Sequence, residues 1–243
     1  MASGILSSQP PSVISGPFIY VGDKGAIKKL SLEGGFPEIL YSIAIDQSDV
    51  GYINDIATDD AFLYWTESNY STVRRMPISG GSATTLSTLA SARATKIAVV
   101  NGFVYWVDDM SSGGNSIWKM PVTGGPPSTI ASNIQGLTGL EVDSNSAYFA
   151  EYETGDIRKV SVNGGTVTTL FDGNPRLHSP SRITQDQTHI YWTNQTQVAR
   201  VSKNGGGFTF YEEFVVKSGL GIAVDDSSVY FVRDEVIWRA SPK

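Results

Sequence analysis

The sequence predicts an all-β protein folded as a six-bladed β-propeller of four-stranded antiparallel blades. Three observations carry this prediction. Tyrosines 20, 64, 105, 148, 191 and 230 head a recurring aromatic segment; subtracting neighbours gives intervals of 44, 41, 43, 43 and 39 residues. Glycine pairs recur behind them at 34–35, 80–81, 124–125, 164–165 and 205–206. Between these marks run short β-branched and aromatic stretches bounded by Gly, Asn and Asp, with no sustained helical period. A repeat of roughly 40–45 residues is the length of one four-stranded blade. A helical repeat of similar length is excluded by the β-type content of every unit.

Each unit reads as four strands in order. The innermost ends in an acid, as in Ile222-Ala223-Val224-Asp225. The second is the aromatic strand, as in Phe62-Leu63-Tyr64-Trp65-Thr66, apolar on both faces because sheets cover it on both sides. The third carries one basic residue, as in Ile117-Trp118-Lys119-Met120-Pro121-Val122. The outer strand is polar and Thr-rich, as in Ala83-Thr84-Thr85-Leu86, which suits an exposed edge. Turns such as Asn101-Gly102 and Asn163-Gly164-Gly165 supply the positive φ angles of tight hairpins.

The ends suggest how the ring closes. Val236-Ile237-Trp238-Arg239 is the third strand of the last unit, and no outer strand follows. Gly4-Ile5-Leu6 precedes a weak inner strand at Ser12-Val13-Ile14-Ser15. Residues 4–6 are therefore expected to form the outer strand of the last blade, making residues 1–243 a single domain.

Composition narrows function. A net charge of −6 and a pI near 4.9 leave no basic stripe for nucleic acid. No run of 18 apolar residues exists, so no membrane insertion is expected. With no cysteine, disulfides, thiolate metal sites and a Cys nucleophile are excluded. The start has neither a charged n-region nor an apolar h-region; an extracellular or periplasmic location is expected if a signal peptide has been removed. A monomer is expected.

Tyr64-Trp65-Thr66-Glu67, Tyr105-Trp106-Val107-Asp108 and Tyr191-Trp192-Thr193-Asn194 resemble the signature of YWTD-type six-bladed propellers. With Ile-Ala-Val-Asp before it and a Lys/Arg-x-Pro-x-x-Gly-Gly pattern after it, the unit is also similar to bacterial NHL and YWTD-like proteins. The resemblance spans almost the whole chain and implies a ligand- or protein-binding surface more often than catalysis. The units at Tyr20, Tyr148 and Tyr230 lack the Trp, and the cysteine-rich modules that flank such domains in receptors are absent. A receptor role is therefore not implied.

In a repeat protein, residues present in every unit serve the fold, and residues that break the repeat are the functional candidates. Lys29, Arg75, Lys119, Lys159, Arg200 and Arg239 fill one position and read as locally paired scaffold. Asp59, Asp143, Asp186 and Asp225 read as turn formers. Trp65, Trp106 and Trp192 read as packing between blades. The longer connections, extreme at 42–55 and 172–182, join one blade's outer strand to the next inner strand, and binding residues concentrate on such loops. The repeat-breaking residues on that rim are Tyr52, Asn54, Asp55, Arg93, Lys96, Arg176, His178 and Arg182. Glu141 joins them because its inner-strand counterparts are Ala57, Ala98, Thr184 and Ala223; it either lines the channel or pairs with a cation such as Lys96 or Arg182.

Two functions fit. The first is a non-catalytic module binding a glycan, peptide or protein partner through this rim and channel mouth, with no cofactor. The second is a metal-dependent lactonase, hydrolase or lyase at the channel mouth, using calcium or another divalent cation. Asn54-Asp55-Ile56-Ala57 is similar to the Asn-Gly-Ile-Ala segment of gluconolactonase-like propellers, which implies a metal-binding role for Asn54 alone. His178 and His189 fall on opposite rims, and no Gly-x-Ser-x-Gly elbow accompanies them, so nucleophilic catalysis is not expected. Deleting residues 1–8 is expected to lower the melting temperature sharply by removing the closing strand; an unchanged melt would refute the closure.

Overall fold

The computed structural model describes residues 10–43, 51–68, 71–89, 93–109, 114–173, 180, 182–194, 197–213, 221–233 and 236–240. Among these residues every regular element is a strand, and the fold is the expected all-β six-bladed β-propeller. The chain divides into two compact units, Met1–Ser132 and Asn133–Lys243.

The first unit holds three blades. Blade 1 is β1 (Ser12–Ser15), β2 (Phe18–Asp23), β3 (Ala26–Ser31) and β4 (Glu38–Ser42). Blade 2 is β5 (Ile53–Thr58), β6 (Phe62–Glu67), β7 (Thr72–Pro77) and β8 (Thr84–Thr88). Blade 3 is β9 (Arg93–Val100), β10 (Phe103–Asp109), β11 (Asn115–Pro121) and β12 (Ser128–Ile134), whose last residues cross into the second unit.

The second unit holds the rest. Blade 4 is β13 (Leu137–Val142), β14 (Ser146–Glu151), β15 (Ile157–Ser161) and β16 (Thr168–Phe171). Blade 5 is β17 (Arg182–Gln185), β18 (His189–Thr193), β19 (Gln197–Ser202) and β20 (Thr209–Glu213). Blade 6 is β21 (Ile222–Val224), β22 (Val229–Arg233) and β23 (Val236–Ala240), three strands among the described residues. The closing strand expected at residues 4–6 lies outside them. Every sheet follows chain order with antiparallel neighbours, as hairpin connections require.

The Tyr-Trp pair explains why the second strand is apolar on both faces. Successive side chains point to opposite faces of a sheet. Trp65 enters the core between blades 1 and 2, while Tyr64 enters the core between blades 2 and 3. Trp192 and Tyr191 divide in the same way between the blade 4–5 and blade 5–6 cores. All four are fully buried. One dipeptide thus supplies two different interfaces.

Polar contacts repeat as regularly. Asp59 Oδ1 accepts the amides of Ala61 and Phe62, closing the inner turn, and its Oδ2 accepts the Tyr64 hydroxyl at 2.8 Å. Asp143 with Tyr148, Asp186 with Tyr191 and Asp225 with Tyr230 repeat this clasp at 3.0, 2.7 and 2.7 Å. The turn role expected of these acids is present, and the phenol contact adds a tie across the hairpin. The repeated base reaches sideways: Arg75 donates to the Val122 carbonyl of blade 3, and Lys159 Nζ to the equivalent Lys203 carbonyl of blade 5 at 2.7 Å. Lys29, Arg75 and Lys119 also cover the rings of Phe18, Phe62 and Phe103. Truncating Trp65 to Ala is expected to cost about 3–5 kcal/mol in urea unfolding, because neighbouring blades cannot collapse into the void. A loss below about 1 kcal/mol would contradict its place in the core.

Candidate functional site

Within each blade the inner strand begins at the end of the sheet that also carries the hairpin from second to third strand, as β6–β7, β10–β11, β14–β15 and β18–β19 do. Three candidates turn out to be one position in three blades. Asp55 faces Thr66 just before the Ile56–Trp65 pair, Lys96 precedes Ile97 opposite Trp106, and Arg182 precedes Ile183 opposite Trp192. Blade 4 has Gly139 there. A Cβ on Gly139 would lie 2.9 Å from Ile183 Cγ1, so close approach of blade 5 demands glycine. The position is therefore variable in charge, and in blade 4 alone it is constrained in space.

In the first unit Tyr52, Asn54, Asp55, Arg93 and Lys96 lie on the inner strands of adjacent blades or at their start. A register shift between Ile53 and Asp55 sends Asn54 and Asp55 both toward blade 3. Asn54 Nδ2 donates to the Ala94 carbonyl at 2.7 Å. Asp55 Oδ1 accepts its neighbour's amide, from Ile56, and Oδ2 accepts the Ile97 amide, both at 3.1 Å. Thr66 adds a bond to the Thr95 carbonyl at 3.2 Å. These side chains staple β5 to β9. Blade 4 repeats the staple: Thr138 Oγ1 donates to the Pro180 carbonyl at 2.6 Å, from the position equivalent to Asn54.

Tyr52 and Arg93 are different. Tyr52 is 46% exposed, its amide held by the Ser68 hydroxyl at 3.1 Å. Arg93 is exposed beside Asp109 at 3.6 Å, and a pair this open contributes little to stability. Both present their side chains to solvent at the rim. Lys96 is half-buried.

In the second unit Glu141 accepts a hydrogen bond from Gln185 Nε2 at 3.2 Å, and the same amide donates to the Val142 carbonyl at 2.9 Å. Glu141 and Arg182 thus sit on the neighbouring inner strands β13 and β17. Arg176 and His178 lie outside the described residues. Tyr152, 49% exposed on the β14–β15 hairpin, is a rim aromatic that the focus on long connections overlooked.

A second set was also missed: the acids at the fourth position of the Tyr-Trp motif. Glu67 is fully buried and accepts from Trp65 Nε1 and Tyr41 Oη, both at 2.8 Å, and from Thr72 at 3.2 Å, with Arg74 at 3.5 Å. Asp108 accepts from the Ser116 amide at 2.6 Å and Trp118 Nε1 at 2.7 Å. Glu151 faces Arg158 at 3.4 Å, and burial pushes its carboxyl above the usual range. The available signal was the pairing of that acid with Arg or Trp on the facing third strand. Among the described residues no three His, Cys, Asp or Glu side chains stand close enough to hold a metal ion.

No protein-family model and no curated protein matches the chain. Solved structures do match over nearly its whole length. A chain of a nidogen/laminin complex aligns with a TM-score of 0.72 at 16% identity, covering 93% of this chain and 90% of that one. A catalytically inactive variant of virginiamycin B lyase from Staphylococcus aureus, solved with quinupristin, aligns at 0.76 and 15% identity, covering 98% and 82%. A streptogramin B lyase aligns at 0.72 and 18% identity, covering 96% and 78%. At these identities the likeness is one of fold, and it places the chain with propellers that include a member of a protein complex and two lyases. The expected resemblance to YWTD-type propellers holds at that coarse level.

The Tyr–Asp clasps predict a response to alkali. Burial, with the Asp143 charge second, pushes the Tyr148 hydroxyl up to about 12. A phenol raised in the folded state contributes stability that is complete below its ordinary value near 10 and is lost as pH climbs toward the folded value. Replacing Tyr148 with Phe is expected to cost about 1 kcal/mol at neutral pH and to flatten the fall in melting temperature between pH 10 and about 12. An identical alkaline fall in both proteins would show that Tyr148 does not contribute to it.

Proposed function

We propose that this protein is a recognition module that binds a protein or peptide partner, or a carbohydrate, through the rim where the inner strands begin. The observation that carries the reading is the division of labour among the rim side chains. Asn54 Nδ2 and Asp55 Oδ2 are committed to the backbone of the next blade, and Asp55 Oδ1 to the amide of its own neighbour Ile56. Among the described candidates of the first unit, the groups facing solvent are an exposed tyrosine and an exposed arginine, Tyr52 and Arg93. Tyr and Arg are the side chains that most often anchor interfaces. The nidogen/laminin neighbour supports a protein partner for a propeller of this outline.

The lyase neighbours favour a second reading, in which the channel mouth carries out an elimination; a divalent cation there would assist it. At Asn54 such an ion would be held through the amide oxygen, the ligating atom of that side chain, while Nδ2 keeps its bond to the Ala94 carbonyl. A cation bound there would supply Lewis-acid polarisation of a substrate oxygen.

One experiment separates the two. Wild type and a Tyr52→Ala/Arg93→Ala variant are screened against peptide and glycan arrays, and chelator-treated wild type is melted with calcium, manganese or zinc. Recognition predicts saturable binding that weakens about tenfold or more in the variant, ~1.4 kcal/mol, with an unchanged melt. A large saturable stabilisation by one ion, with turnover of a lactone or streptogramin and no array ligand, would overturn it.

A further inference from the structure

Blades 2 and 4 place an arginine at the same point of the third strand, and the two guanidinium groups are treated differently. Arg74 faces Trp65 and Arg158 faces Phe149, each beside the buried glutamate that ends the second strand, Glu67 or Glu151. In blade 4 the guanidinium is closed internally. Asp156 Oδ2 accepts from Arg158 Nε at 3.0 Å and from Nη2 at 2.6 Å, while Nη1 faces Glu151. In blade 2 the residue equivalent to Asp156 is Thr72, opposite Glu67, and its hydroxyl bonds to Glu67 instead. Arg74 uses only Nη1, toward Tyr41 Oη at 2.5 Å and Glu67. Its Nε is buried with no partner. A buried donor without an acceptor is costly, and native structures rarely keep one without a reason.

The side chain borders a groove of about 450 Å³ between the outer strand of blade 1 and the outer half of blade 2. Tyr41, Ile43, Glu67, Thr72, Thr85 and Thr88 complete its lining. The volume falls in the range of small-molecule sites. Glu67 and Arg74 cancel in charge on the floor, and the carboxylate is already saturated by Trp65, Tyr41 and Thr72. What the groove offers a newcomer is a guanidinium on its lining that uses Nη1 alone, with Nε buried behind it and still without an acceptor. The Nε–Nη2 side of a guanidinium forms the fork that matches a carboxylate. The Thr85 and Thr88 side chains on the exposed β8 edge add hydroxyls, and Ile43 with the Tyr41 ring adds an apolar wall.

We propose that this groove binds a small hydroxylated carboxylate, a hydroxy acid or sugar acid, whose carboxylate takes the place beside Arg74 that Asp156 occupies beside Arg158. The hydroxyls of the ligand meet Thr85 and Thr88. A slight turn of the guanidinium brings Nε to the ligand along with Nη2. The site is lined by outer and third strands with the end of the second at Glu67, shares no residue with the Tyr52–Arg93 rim, and stands whether or not that rim binds a partner.

The test uses the whole chain and calorimetry with D-glucuronate, lactate and acetate, against D-glucose and inorganic phosphate. Thr72→Asp installs the internal carboxylate that blade 4 already tolerates beside Glu151. It is expected to weaken glucuronate about tenfold or more without lowering the melting temperature. Thr85→Val/Thr88→Val, on exposed positions, is expected to weaken glucuronate while leaving acetate unchanged, which keeps the test sound if Thr72→Asp misfolds. Glucose binding as tightly as glucuronate, phosphate outcompeting every carboxylate, or no saturable millimolar binding of any carboxylate would overturn the assignment. So would unchanged binding in a folded Thr72→Asp protein.

Discussion

Cohesion between the blades rests on burial of the aromatic second strand on both of its faces, at Tyr64 and Trp65 and again at Tyr191 and Trp192. A four-stranded sheet of this size cannot bury its own faces, so each blade needs a neighbour on both sides. Tyr64 and Trp65 meet that need with adjacent residues, because a strand sends consecutive side chains to opposite faces. The position tolerates Phe, as at Phe149 and Phe231, but not a polar residue, since both are buried. Burial of this kind is worth roughly 25 cal/mol for each Å² removed from water, so two large aromatic rings per blade contribute cohesion on both faces.

Hydrophobic contact alone does not set how neighbouring blades are aligned along their faces, and the polar ties complete the specification. The Asp turn acids hold the inner hairpin and anchor the tyrosine hydroxyl, so the ring cannot slide along the interface. The Arg75 and Lys159 contacts reach a carbonyl at a fixed point of the next blade. Asn54 and Thr138 do the same at the inner edge. Blades 4 and 5 carry one more: Lys203 Nζ lies 2.9 Å from Asp143 and covers the Tyr148 ring. Burial would raise the Asp143 carboxyl, but Lys203 and the amides of Asn145 and Ser146 outweigh it and hold it below the usual range.

This arrangement bears on function through what it leaves uncommitted. Asp55, which the sequence nominates, and Glu67 and Asp108, which it does not, are held by backbone amides or indole N–H groups. Side chains become available where the repeat changes by one residue. Tyr52 and Arg93 stand at strand starts that face solvent, and Thr72 in the place of an aspartate leaves part of the Arg74 guanidinium open to a groove. In a repeat fold, small departures from the unit are where a ligand can enter.

Fold class, blade number and strand order were legible in the chain, because short β-type runs inside a repeat of roughly 40–45 residues are a local property. The sequence also separated scaffold from variation: the tryptophans, the turn acids and the repeated bases sit where repetition placed them. It did not reveal what the variable residues touch. Asn54 and Asp55 looked available, and only the approach of β9 showed that the Ala94 carbonyl and the Ile97 amide occupy them. The pairing of Glu67 with Tyr41 joins residues 26 apart across two blades, and the likeness of Arg74 to Arg158 depends on strand register. Contacts of that kind arise when separate sheets are pressed face to face, so the tertiary structure decided them.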